Sequence, residues 1–160
     1  MTLKTNIVAE ELGTYYQDVT IFNDCGGILS THPTWEDFER VFKVLSSEVN
    51  ELHAAIITKD MVELVDGVGD VTYVAFGLIA MLERAGFDVV EMLKRVAGNN
   101  YKKIFQTQEE ALGLYVELES AKPQLAPYKI SETIVDNETF FVVLDKNGKI
   151  CKPINHVAPD

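Results

Sequence analysis

The sequence predicts a mainly α protein: an antiparallel helical bundle followed by a small C-terminal antiparallel β hairpin or meander. Three observations predict it. Apolar residues recur at three- and four-residue steps over most of residues 34–120, the period of a helix buried on one face. A capping residue stands before each of these runs: Thr34, Asp60, Asp88 and Thr107. After Pro123 and Pro127 the apolar period falls to two, and Asn147-Gly148 gives a hairpin turn signal.

Taken in order, a short first helix is expected near residues 14–23, followed by a loop through Gly26, Gly27 and Pro33. Thr34, with Asp37 three residues on, opens a second helix whose apolar stripe is Phe38, Val41, Phe42, Leu45, Val49, Leu52 and Ile56. The break at residues 58–60 is tight. Asp60 caps a third helix that runs to about Arg84 and stops at Gly86. Asp88 with Glu91 starts a fourth helix through Lys103, and Thr107 with Glu110 a fifth through Glu119. Strands are expected at residues 128–130 onward, 139–144 and 150–151. The length of 160 residues suits one domain (1–160), with a helical core at 14–120 and a β tail at 127–153.

Composition excludes several function classes. The net charge of −11 makes bare nucleic acid and anionic membrane poor partners. The longest uncharged helical run, residues 71–82, falls short of the roughly 20 residues that span a bilayer. The first residues carry no charged-then-apolar leader pattern, so a cytoplasmic location is expected. Cys25 and Cys151 lie far apart without a C-x-x-C partner and read as two reduced thiols. His32, His53 and His156 show neither triad nor metal spacing.

The acids stand at unusual places. Glu48 and Glu51 form an E-x-x-E pair on the border of the second helix's apolar stripe, about 60° apart at about 100° per residue. Glu63, Asp66 and Asp70 span a similar arc of the third helix. Taken alone, that arc reads as an ordinary solvated face, with Glu63 answering the Asp60 cap. The same face, however, continues into Val74, Gly77 and Met81, so its acids point along a stripe that is apolar one turn later. The very short turn between the two helices makes them antiparallel neighbours, which brings the five carboxylates together. Such a group repels itself without cations, and all-oxygen ligation selects magnesium, or manganese in its place.

These residues carry a family likeness. E-x-x-E on one helix, followed by E-L-V-D-G-V-G-D-V-T-Y on the next, resembles the MazG-like and phosphoribosyl-ATP pyrophosphohydrolase-like all-α nucleotide pyrophosphatases. The segment G-F-D-V-V-E-M-L-K-R-V-A-G-N-N-Y-K-K is similar to the family's segment ending in asparagine, two residues and lysine. Phe22-Asn23 and the tail N-G-K-I-C-K-P-I-N-H-V-A-P-D are similar to bacterial and phage-encoded members, which favours that subgroup over histidine biosynthesis.

The resemblance implies a helical homodimer or homotetramer that hydrolyses a nucleoside triphosphate between the α and β phosphates. It implies magnesium held by Glu48, Glu51, Glu63, Asp66 and Asp70, catalytic roles for Glu48, Glu51, Asp70 and Lys103, and nucleotide contacts from Asn23, Asn100 and Lys103. One departure matters. Many members carry a glutamate where Gly67 stands, so either Glu63 with Asp66 or Asp66 with Asp70 takes over the pair. A deoxyuridine or deoxycytidine nucleotide, or phosphoribosyl-ATP, is an alternative substrate, and a non-enzymatic helical binding module is an alternative reading of the acids. Without the resemblance, Lys102 and Lys103 read as dipole-complementing lysines, Asn99-Asn100 as a polar helix end, Lys149 and Lys152 as strand-edge charges, and Trp35 and Tyr73 as packing aromatics.

Overall fold

The structure, a computed structural model, describes residues 5–154, with side chains from residue 11 onward. His156 and the end of the C-terminal tail lie outside the described residues. The described elements are five α-helices, one short 3-10 turn and two strands, in the order α1 (Thr5–Cys25), α2 (Trp35–Thr58), α3 (Met61–Arg84), α4 (Val89–Tyr101), α5 (Gln108–Ala121), β1 (Lys129–Val135) and β2 (Glu138–Leu144). This is the mainly α architecture with a small antiparallel hairpin. Contacts divide it into two compact units, Met1–Val89 and Val90–Asp160.

In the first unit the caps act as the sequence implies. The Thr34 side chain accepts from the Asp37 N–H, and the Asp37 carboxylate accepts from the Thr34 N–H at 3.0 Å, a complete capping box. At the other end of α2, Lys59 takes a left-handed conformation (φ 59°) and reverses the chain within two residues. Asp60 then accepts from the N–H groups of Val62 and Glu63. Helix α1 is longer than expected, beginning at Thr5 instead of near residue 14. Gly13 lowers helix propensity locally, but the helix formers on either side carry the turn through it. A core of Leu29, Val41, Ala80 and Met81 joins the loop, α2 and α3. Aromatic contacts lock α1 to α3: Tyr15 and Phe22 meet Tyr73 at 6.1 and 5.8 Å, and Tyr16 meets Phe76 at 5.8 Å. Arg84 bonds Asp24 at 2.6 Å and the Leu29 carbonyl at 3.3 Å, pinning the loop to the end of α3.

Helices α2 and α3 cross at Leu52 and Gly67. A Cβ placed on Gly67 would lie 3.2 Å from the Leu52 Cα and 3.3 Å from its Cβ. Any side chain there would have to push Leu52 back by a few tenths of an ångström. Gly67→Glu is therefore expected to force the helices apart and to destabilise the fold by about 1–3 kcal/mol. A melting temperature equal to the wild type would refute this reading of the crossing.

The first unit leaves much apolar surface bare. Trp35, Phe42, Val49 and Ile56 recur every seven residues along α2 and are 82%, 61%, 46% and 56% exposed. Met61, Val65 and Val68 on α3 are 68%, 68% and 52% exposed. Trp35 therefore does not pack inside a bundle as expected; its described ring contact is with Phe38 at 6.0 Å. The second half of α3 is likewise only half-buried, apart from Gly77, Ala80 and Met81. By length and composition alone α3 is long and apolar enough to cross a membrane, which the count of its uncharged run missed. It nevertheless packs along α2 and carries Glu63, Asp66 and Asp70, so its composition marks a helix needing cover on more than one side.

The second unit has its own core of Ala111, Leu114, Leu118, Tyr128 and Val143. The α5 capping box at Thr107 and Glu110 forms as expected. Helix α4 stops at Tyr101, two residues before the expected end. The strands pair antiparallel, Lys129 with Leu144 through Val135 with Glu138, and the hairpin turns at Asp136-Asn137, both with positive φ. That turn was not expected; Asn and Asp tolerate left-handed backbone and so supplied the signal. Asn147-Gly148 does turn the chain, but beyond it only Ile150 pairs, as an isolated bridge to Leu144. The buried Asp145 fixes this second turn by accepting from the Asn147 and Lys149 N–H groups at 2.9 and 3.0 Å.

Candidate active site

The Leu52–Gly67 crossing sets the geometry of the acids. In an antiparallel pair, residues preceding the crossing on one helix face residues following it on the other. Glu48 lies four before Leu52 and Asp70 three after Gly67, so these two carboxylates come from opposite helices to the same level. Glu51 and Asp66 each lie one residue before their crossing position and flank it. Glu63 lies seven residues before Asp70, about 10 Å away along the axis.

Electrostatics follows this placement. The Glu48 carboxyl is held above its usual range, first by partial burial and then by the negative charges of Glu51, Asp70 and Asp66. Glu63 is not among the groups acting on it. No ion pair among the described residues involves any of the five acids. As the side chains stand, no three His, Cys, Asp or Glu among the described residues converge closely enough to hold a metal ion. The donor set nevertheless suits one. It is all oxygen, it comes from rods that are already side by side, and its mutual repulsion is what a hard cation relieves.

A cavity of about 370 Å³ opens beside Glu48 and Asp70, lined on its other sides chiefly by apolar groups including Val41, Val44, Val74 and Met81. Asn23 lines it too, reaching from the end of α1, and is buried. The sequence reading thus named three of its lining residues, from three different helices. It missed Arg40, which also lines the cavity and is tethered by Asp37 at 2.8 Å. The signal was available: Arg40 lies three residues after Asp37, and eight before Glu48, on the same helix. Tyr73 packs against Tyr15 and Phe22 as a packing aromatic does, and its half-buried ring also lines the cavity, where burial raises its hydroxyl pKa. A second, wider groove runs along α3 past Glu63, Asp66 and Asp70, so Asp70 borders both.

Asn100 and Lys103 belong to the second unit. There the Lys103 ammonium donates to the Asn100 Oδ1, and both line an open pocket with Ala97, Tyr101, Ile104 and Ile150. Asn100 is fixed in turn by donating to the Val96 carbonyl at 3.1 Å.

The segment that carries the five acids is similar to a known protein family. Residues 30–100 match phosphoribosyl-ATP pyrophosphohydrolase. That family belongs to the MazG-like all-α NTP pyrophosphatase superfamily. It contains Glu48, Glu51, Glu63, Asp66, Asp70 and Asn100, and stops short of Lys103; Asn23 precedes it. Phosphoribosyl-ATP pyrophosphohydrolases hydrolyse a nucleotide pyrophosphate bond, and the family is generally divalent-metal dependent. Searches of curated proteins and of solved structures found no match.

A side chain at Gly67 would press directly on the helix crossing, its Cβ 3.2 Å from the Leu52 Cα. Asp66 and Asp70, the neighbours that project to either side of the crossing, are the acids that act on Glu48.

Proposed function

We propose that this protein is a magnesium-dependent nucleotide pyrophosphohydrolase that converts a nucleoside triphosphate to the monophosphate and pyrophosphate. The observation that carries the reading is the meeting of Glu48 with Asp70, Asp66 and Glu51 beside a largely apolar cavity, inside the segment that matches the family.

The division of labour follows from the residues. Glu48, Glu51, Asp66 and Asp70 would hold the cation; Glu63, about two turns from Asp70 along α3, would reach it only through a water or a second ion. A bound divalent ion would neutralise phosphate charge and make an attacking water more acidic. Glu48, at the border of the cavity, is placed to orient that water and receive its proton. The cavity excludes water from one side of the acids and receives the uncharged part of the substrate, with Asn23 contacting it. In the second unit Asn100 and Lys103, already linked to each other, offer a donor pair suited to phosphate oxygens.

The test is a pyrophosphate-release screen over all ribo- and deoxyribonucleoside triphosphates and phosphoribosyl-ATP, with magnesium, with manganese and with EDTA. Release from at least one nucleotide, abolished by EDTA, is expected. A purified, folded protein that releases pyrophosphate from none of them under any metal would overturn the reading and leave the binding module.

We also propose that the bare apolar rows on α2 and α3 pack against a second copy in a cytoplasmic homodimer or tetramer. The sevenfold repeat of Trp35, Phe42, Val49 and Ile56 is the spacing by which one helix interlocks with another. Val49→Glu combined with Ile56→Glu is expected to shift the sedimenting species to the monomer. A wild type that already sediments as a monomer at 100 μM would end this proposal.

A further inference from the structure

Asn23 presents a feature that the chemistry of the acids does not use. The residue is buried, with 7% of its surface exposed, and it lines the cavity that also carries Glu48 and Asp70. Its Nδ2 donates to the Val19 carbonyl one helical turn back at 2.7 Å. This bond fixes the amide's orientation, because the flipped amide would set two carbonyl oxygens against each other. The Oδ1 atom is left without a hydrogen-bond donor among the described residues. Buried acceptors are nearly always satisfied, so an unpaired one on a cavity wall points to a ligand that supplies the donor.

Gly77 keeps the approach open. A Cβ at that position would lie 3.6 Å from the Asn23 Nδ2 and 3.9 Å from its Oδ1, in the space in front of the amide. The residue behind is held as firmly: the Asn23 backbone carbonyl accepts from the N–H of Ile28 at 2.9 Å. A fixed, buried acceptor in the wall of a largely apolar cavity, beside a glycine that lines the same cavity, is a recognition device.

We propose that Asn23 is the base-reading residue of this site: its Oδ1 accepts a hydrogen bond from an N–H on the edge of the substrate's nucleobase. The proposal rests on the nucleotide reading above and names the part of the substrate that the cavity takes. Phosphate is excluded as the partner of Oδ1, because both are acceptors. The neighbouring apolar side chains and the Tyr73 ring suit the flat faces of a heterocycle.

The test uses the full-length protein and the four 2′-deoxynucleosides, which differ only in the base and carry no phosphate, in EDTA so that metal plays no part. Saturation-transfer NMR is expected to show one nucleoside bound in preference to the other three. Asn23→Leu should abolish that signal. Gly77→Ala should weaken it about tenfold without lowering the melting temperature, since 3.6 Å is an ordinary contact and alanine favours a helix. In pyrophosphate release, the ratio of kcat/KM between best and worst base is expected to be about 100-fold or more in the wild type. It should fall towards one in Asn23→Ser, mainly through KM. Equal binding of the four nucleosides, binding of none, or preferences unchanged in Asn23→Leu and Gly77→Ala would overturn the proposal. If Asn23→Leu does not fold, Gly77→Ala and the Asn23→Ser ratio decide. Selective nucleoside binding without pyrophosphate release from any triphosphate would sink the proposed activity and leave this subsite standing. Release of pyrophosphate with indifferent nucleoside binding would do the reverse.

Discussion

Asp70→Asn is expected to keep the fold and to lower kcat/KM by about three orders of magnitude, because it removes an anionic oxygen ligand from the cation site. Asp70 carries this effect for a geometric reason. It is the α3 acid that stands level with Glu48 beyond the helix crossing, and it borders both the apolar cavity and the open groove along α3. Glu48→Gln should give a loss of similar size. The amide still fits the half-buried position but can neither bind the cation as an anion nor take a proton. Glu63→Gln should cost about tenfold or less, since Glu63 lies two turns from Asp70 and does not act on Glu48. Steady-state pyrophosphate release at saturating magnesium, with melting temperatures measured alongside, checks the series. Activity within tenfold of wild type in both Asp70→Asn and Glu48→Gln would remove these residues from the machinery. A loss in Glu63→Gln as deep as in Asp70→Asn would move the cation one to two turns towards the α3 N-terminus.

The second large effect is on stability. Crowded carboxylates without a counter-ion oppose folding, and a cation bound only by the folded state stabilises it. At a magnesium concentration 100 times the dissociation constant this amounts to about 2.7 kcal/mol. For a chain of this size that is about 5–10 °C in melting temperature. The pH dependence has a definite sign. The folded Glu48 carboxyl binds its proton more tightly than an ordinary glutamate, whose value is 4.5. Protonated Glu48 therefore favours the folded state. Its contribution is complete below about pH 4.5 and is lost as pH rises through the raised folded value. In EDTA, the wild type should lose melting temperature relative to Glu48→Gln as pH climbs out of that range towards neutrality. Saturating magnesium should close the gap for the wild type and leave Glu48→Gln nearly unmoved. Melting curves from pH 4 to 8, with EDTA and with magnesium, provide the measurement. Parallel wild-type and Glu48→Gln curves in EDTA would show that Glu48 does not feel its neighbours.

Much of this arrangement was legible in the chain because it depends on local rules. Thr34 with Asp37, and Thr107 with Glu110, announce helix starts by chemistry confined to four residues, and both boxes form. The short break at residues 58–60 forces α2 and α3 to be neighbours, so the turn alone put the two acidic stretches on one helix pair. The hairpin was harder to read. Asp136-Asn137 makes it, although Asn147-Gly148 gives the stronger local signal, because the pairing depends on which strand the core around Leu114 and Val143 requires. The length of α1 was missed for a similar reason: helix propensity through Gly13 is weak, and the locking of Tyr15, Tyr16 and Phe22 onto α3 is not a property of adjacent residues.

The sequence by itself determined the helices, their antiparallel order and the inventory of acids, since period, caps and residue type are carried by short stretches of chain. Tertiary structure decided which acids meet. That outcome turns on a single missing side chain: Gly67 lets α2 and α3 touch at Leu52, and the contact sets Glu48 opposite Asp70 while leaving Glu63 behind. It likewise decided that Asn23, distant in the chain, shares a cavity with them, because only the folded packing of α1 on α3 brings the end of one helix beside the middle of another.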